Sequence, residues 1–105
     1  MPESYKKIAQ TQPGTSAGTA YTVPAATQTI VKHIRAVNVS ANPTTIKLWH
    51  DGNADTNVIL PAINLGPGEF LEWEGSLFME TADTLQAIAG AATSITLVAY
   101  GIELS

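Results

Sequence analysis

The stretch Asn64-Leu-Gly-Pro-Gly-Glu-Phe-Leu-Glu-Trp-Glu-Gly-Ser-Leu-Phe-Met-Glu-Thr-Ala-Asp-Thr84 decides the fold. It reads as turn, strand, turn, short apolar run and turn. Leu65-Gly66-Pro67-Gly68 sets Pro where a turn needs a fixed φ and Gly where it needs φ > 0, as in a type II turn. Phe70 to Glu74 then alternates, with Leu71 and Trp73 on one face and Phe70, Glu72 and Glu74 on the other. Gly75-Ser76 breaks the run, and Leu77-Phe78-Met79 resumes it. Leu71 and Trp73 are expected to fill a core opposite the long run Ile30–Ser40. Phe70, Glu72 and Glu74 are then outward surface, open to a neighbouring subunit.

Ile30–Ser40 carries apolar residues of both parities. Ile30, Ile34 and Ala36 share one face, and Val31, Val37 and Val39 share the other. That pattern means either burial on both sides or a bulge that switches register near Lys32-His33. It is read as two-sided burial, with one face in the core and the other beneath a neighbour. Ala41-Asn42-Pro43 reads as a hairpin loop leading to Thr44–His50. There Ile46, Leu48 and His50 oppose Thr45, Lys47 and Trp49, which places Trp49 on the exposed side.

Further strands are expected at Thr19–Val23, at Val58–Leu60 stopped by Pro61, at Thr84–Ala89 and at Ile95–Leu104. In the last, Ile95, Leu97, Ala99 and Gly101 oppose Val98, Tyr100, Ile102 and Leu104. Residues 1–18 read as an N-terminal arm, with Tyr5–Gln10 as one short strand before a Gly/Pro/Ser/Thr loop. If the arm is a partner contact, truncation near Thr19 is expected to leave the remaining domain, residues 19–105, intact. About seven or eight strands with regular turn signals predict an all-β fold, an antiparallel β-sandwich or jelly-roll-like domain.

The chain has 105 residues, enough for one domain. Charged residues are only 13% of it, about half the usual quarter. A surface so poor in charge suits a domain covered by other subunits, and equally a neutral, Thr-rich β domain that is simply soluble. The net charge is −4, with five dispersed basic residues, which argues against nucleic-acid binding. The absence of cysteine excludes disulfides and thiolate metal sites. No apolar run approaches the ~20 residues that cross a bilayer, and the first residues lack the apolar centre of a signal peptide. Synthesis in a cytoplasm is expected.

Constellations that could carry chemistry fall short. Asp51, Asn53, Asp55 and Asn57 echo the start of a calcium loop, but Thr56 stands where that loop needs Gly and Ala62 where it needs Glu. His33 and His50 would face each other if a hairpin centred on Ala41-Asn42 joined their strands, and Asp51 would then offer a third zinc ligand. Cross-strand packing is the simpler reading. Glu72 and Glu74 lack cleft partners for acid–base work. There is no nucleophile elbow, and Gly66-Pro67-Gly68 precedes no helix. No enzyme activity, metal or cofactor is expected.

The order Tyr21-Thr-Val-Pro-Ala25, Ile30-Val-Lys-His-Ile-Arg-Ala-Val-Asn38, Leu65-x-Pro-Gly-Glu69 with Trp73, Ala82-Asp-Thr-Leu85 and Val98-Ala-Tyr-Gly-Ile-Glu103 resembles small single-domain β-sandwich virion proteins of tailed bacteriophages. The resemblance covers residues 19–105. It implies a virion part: a capsid decoration (cement) protein on the head surface, a homo-oligomer and above all a trimer, bound to the major capsid protein. The alternative it implies is a tail- or fibre-associated module that binds a host glycan or protein through Trp49 and the Asp51–Asn57 loop. The candidate contact residues are Tyr5 and Ile8 of the arm, Val31, Val37, Val39, Trp49, Phe70, Glu72 and Glu74.

Overall fold

A computed structural model of the protein describes residues 3–52 and 54–104. Its strands are β1 (Glu3–Thr11), β2 (Gly18–Thr22), β3 (Gln28–Asn38), β4 (Thr44–His50), β5 (Val58–Leu65), β6 (Phe70–Met79), β7 (Thr84–Ala89) and β8 (Ile95–Leu104), with a 3-10 turn at Asp55–Asn57. They form two four-stranded sheets of order β1-β8-β3-β6 and β2-β7-β4-β5. β1 pairs with β8, β2 with β7, β3 with β6 and β4 with β5, all antiparallel. This is one long hairpin with its tip between β4 and β5, rolled up so that β3 meets β8 and β4 meets β7. The fold is a jelly roll.

Ala41-Asn42-Pro43 is therefore not a hairpin loop. It carries the chain from the first sheet to the second, and β3 and β4 are not neighbours. The two strands lie in opposite sheets, one on each side of the core.

The central strands alternate around the core. Ile95, Leu97 and Ala99 of β8, Leu85, Ala87 and Ala89 of β7, and Ile46 and Leu48 of β4 are buried. Gly101 completes the inward series of β8, because a Cβ there would stand 2.6 Å from the Ile30 carbonyl oxygen.

The first sheet carries a continuous line of bulges. Its register shifts at Lys7/Ala9 of β1 against β8 and at Val31/His33 of β3 against β8. On the far side, Val31 pairs with Leu77 and His33 with Glu74, so Gly75 and Ser76 stand against Lys32 alone. An extra residue in a strand reverses which parity points inward. Val31, Ile34 and Ala36 are consequently all buried, Val31 with no exposure at all. The apolar residues of both parities reflect this bulge at Lys32, not two-sided burial.

Three other expectations change. β6 runs unbroken through Gly75-Ser76, and Leu71 and Trp73 lie beside Ala36 and Ile34 in the same sheet. β5 continues through Pro61, which sits in a register irregularity of an edge strand, where a missing N–H breaks no regular ladder. Residues 3–11 are not a free arm: β1 covers the edge of β8, and its Ala9 joins the core.

One end of the sandwich is tied by Asn38, which has no exposure. Its Nδ2 donates to the carbonyls of Asn42 at 2.8 Å and Leu65 at 3.0 Å, and its Oδ1 accepts from the Ser40 amide and hydroxyl. Its backbone amide donates to Glu69 O, and Gly68 N donates to its carbonyl. Asn38 thus holds the turn Gly66–Glu69, where Pro67 and Gly68, at φ 77°, take the central positions and Glu69 N donates to Gly66 O.

Asn38→Ala strands several buried polar groups and is expected to lower stability by about 3 kcal/mol, read by urea denaturation. Deletion of residues 1–11 bares the edge of β8 and is expected to yield aggregating protein, read by light scattering.

Candidate functional site

The outer face of the first sheet gathers the groups available for contact. Cross-strand registers place its side chains in rows. One row runs Phe78, Ile30, Ile102 and Tyr5 across β6, β3, β8 and β1. The next, beyond the insertions in β6 and β3 and just before Ile8 of β1, runs Glu74, His33, Tyr100 and Lys7. A third runs Glu72, Arg35, Val98 and Gln10.

The middle of this face is braced internally. His33 Nε2 lies 2.9 Å from Glu72 Oε2, and Arg35 Nη1 lies 3.5 Å from Glu72 Oε1. The His33 ring stacks on Tyr100 with centroids 5.8 Å apart. The Arg35 guanidinium sits 4.5 Å over the Phe70 ring. These contacts fix the charged side chains in one arrangement. Three large exposed apolar residues, Tyr5, Phe70 and Phe78, border the same face.

Of the candidate contact residues, Tyr5, Phe70, Glu72 and Glu74 are exposed on this face, with Val37 half-buried among them. Val39, just beyond β3, is also exposed. Ile8 packs partly against the core. Val31 is interior, so it is no surface contact. Trp49 has outward parity yet is only 6% exposed, with the Lys47 ammonium 5.2 Å from its ring centre. It cannot serve as an open stacking platform. Phe78 was missed because the strand was expected to break at Gly75-Ser76. Two added residues preserve parity, and simple alternation from Phe70 reaches Phe78.

The histidines do not meet. His33 turns to Glu72, while His50 Nε2 lies 3.2 Å from Asp83 Oδ2. In the β4–β5 loop, Asn57 Nδ2 donates to the carbonyls of His50 and Asp51. Asn53 and the Asp55 side chain lie outside the described residues. Among the described residues, no group of three or more His, Cys, Asp or Glu is arranged to hold a metal. A depression of about 160 Å³ between the β1–β2 loop and β7 is lined by residues including Thr11, Gln12, Pro13, Gly14 and Thr19, and no titratable side chain lines it. It offers nothing to hold or move a proton.

At the sandwich end opposite Asn38, Tyr21 of the second sheet reaches the first. Its hydroxyl donates to Glu103 Oε2 at 2.6 Å and lies 2.8 Å from Thr29 Oγ1. Lys6 Nζ stands 2.7 Å from Glu103 Oε1. Burial, then the Glu103 hydrogen bond, pushes the Tyr21 pKa up to about 12. Hydrogen bonds from Lys6 and then Tyr21 hold the Glu103 carboxyl below its ordinary value. Both carboxylate oxygens are engaged, so the cluster is a clasp between sheets.

No protein-family model matches the chain, and no curated protein does. Solved structures match in fold. A chain of the acid-stable capsid of Helicobacter pylori bacteriophage KHP30 is 10% identical, with a TM-score of 0.59 over 100% of this chain and 94% of that one. A chain of the T13 IBDV viral particle has a TM-score of 0.62 at 9% identity, and this chain spans 31% of its length. A chain of Bacillus endospore appendages, described as disulfide-linked pili, has a TM-score of 0.54 at 15% identity over 88% of its length. Capsid-protein neighbours of this kind give the chain a viral-capsid-like β fold. Disulfide linkage has no counterpart in a chain without cysteine.

The clasp makes stability pH-dependent with a defined sign. The folded state holds the Tyr21 proton more tightly than the unfolded chain, so that contribution is full below the ordinary value of 10.0 and is lost as pH rises toward about 12. The Glu103 contribution is full above its ordinary carboxylate range and is lost as pH falls through its lowered value. Urea midpoints of the wild type are expected to fall through the alkaline range. Tyr21→Phe is expected to start lower at neutral pH and to fall less steeply.

Proposed function

We propose that this chain is a non-enzymatic structural subunit of a bacteriophage virion. It acts as a decoration (cement) protein on the outer head surface and adds contacts to the major capsid protein. Added interface stabilises a shell by mass action, with no chemical step. The observation that carries this reading is the outer face of the first sheet. There, exposed aromatics border a braced group of charges on a fold built like capsid subunits. That combination suits attachment to a protein lattice, with aromatic and Arg anchors amid polar surroundings. A homotrimer on the head is the assembly proposed.

The tail-module alternative drew on Trp49 as a glycan platform, and the burial of Trp49 removes that support.

The test compares phage heads with and without the protein. Heads lacking it are expected to burst at lower temperature, and added purified protein is expected to restore tolerance. The variant Phe70→Asp, at an exposed aromatic of the same face, is expected to restore less. Heads equally heat-tolerant without the protein, or protein found in low copy at the tail, would overturn the reading.

A further inference from the structure

We infer that copies of this chain join edge to edge, β1 of one copy against β6 of the next, so that the first sheet continues from subunit to subunit. The inference rests on the two free edges of that sheet and holds wherever the protein sits on a virion.

The edges fit each other in direction. Each neighbouring pair in the order β1-β8-β3-β6 is antiparallel, so β1 and β6 run opposite ways. A second copy set alongside in the same orientation presents β1 antiparallel to β6, as a ladder requires. Both edges are long, at nine and ten residues. Neither contains proline; the β6 insertion Gly75-Ser76 falls just before the row of Glu74 and the β1 insertion Ile8 just after the row of Lys7, so pairing forms in segments separated by these insertions.

The side chains fit as well. In the apolar row, Ile30 and Ile102 have neighbours on both sides and are half-buried, while Phe78 and Tyr5 stand at the ends and are 49% and 64% exposed. Continuing the sheet sets Phe78 against Tyr5 of the next copy, giving each end its missing cross-strand partner. The next row ends in Glu74 on β6 and Lys7 on β1. Among the described residues Glu74 has no ion pair or side-chain hydrogen bond, and Lys7 reaches only Gln10. The same continuation sets these two unmatched charges opposite each other. Two-fold pairing of β6 with β6 would instead bring Glu72 and Glu74 toward their own copies, and β1 with β1 would do so for Lys7.

A contact between unlike edges is head-to-tail. It closes into a ring where the rotation between copies allows, a trimer included, and otherwise runs on as a filament.

Charge reversal tests this in the full chain by sedimentation velocity. Glu74 and Lys7 are both exposed, and retained urea midpoints check that the variants fold. The wild type is expected to associate with rising concentration. Glu74→Lys and Lys7→Glu are each expected to weaken association by about tenfold or more. An equimolar mixture of the two variants is expected to regain it, because each supplies the edge the other needs. A wild type monomeric at millimolar concentration would overturn the inference. So would variants that associate as the wild type does, or a mixture as dissociated as its components. The head-stability assay reads attachment and this one reads self-association, so either can fail alone.

Discussion

The line of added residues through Ile8, Lys32 and Gly75-Ser76 governs what the first sheet shows to its two sides. β8 has no insertion and alternates along its whole length. β1 and β3 each gain one residue against it, and their parity reverses at that point. β6 gains two against β3's one and keeps its parity. The four strands stay in phase because these insertions fall within one row of each other, those of β3 and β6 just before the Tyr100 row and that of β1 just after it. If Lys32 were accommodated elsewhere, Ile34 and Ala36 would turn to solvent and His33 and Arg35 inward, leaving buried charge without its Glu72 partner. Bulges also bend and twist a sheet, and Gly101 allows the close approach this requires beside Ile30.

Two buried polar groups fix the ends that the bulge line leaves open. Asn38 satisfies both its amide and its backbone groups within the loops at one end. Tyr21 spans from the second sheet to Thr29 and Glu103 of the first at the other. The driving force for burying the apolar core between them is non-directional, and its alignment comes from close packing of the side chains. Hydrogen bonds with their partners on separate sheets add a directional constraint to that alignment.

How much of this could be read from the sequence follows from the same features. Ile95–Leu104 was fully legible, with bounds and faces, because nothing interrupts its alternation. The turn at Gly66–Glu69 was legible because Pro67 and Gly68 meet a stringent backbone requirement. The all-β jelly-roll class followed from strand number and turn spacing. The faces of Ile30–Ser40 were not legible, since a bulge and two-sided burial give the same apolar pattern until the neighbouring strands are placed. The sheet change after Asn38 was equally hidden, because a short loop with Pro joins strands within a sheet or across a sandwich. Outward parity suggested that Trp49 was exposed, yet parity gives direction and not cover, and the indole lies beneath its surroundings. Of the outer face of the first sheet, Phe70, Glu72 and Glu74 were visible in local alternation. The rows linking them to Tyr5 and Lys7 depend on β1 and β6 lying at opposite edges of one sheet, which no local pattern encodes.

The low charge content takes on a meaning once the strands are assigned. In the second sheet Lys47 is the one Lys, Arg, Asp or Glu found in any strand, whereas β1, β3, β6 and β8 of the first all carry such residues. A domain that merely needed solubility would spread its charge over both faces. Segregation gives this jelly roll two unlike sides: one able to select partners by charge and aromatic contact, the other nearly neutral. A protein with one such selective side and complementary edges on the same sheet can meet its own copies laterally while presenting the face they share to something else. The lateral contact uses the row ends, Phe78 with Tyr5 and Glu74 with Lys7. The row centres, His33, Arg35 and Tyr100, remain available. In the proposed assembly these two contacts would not compete, and joining copies would enlarge the shared face, so that weak attachment at each subunit would add up across the assembly.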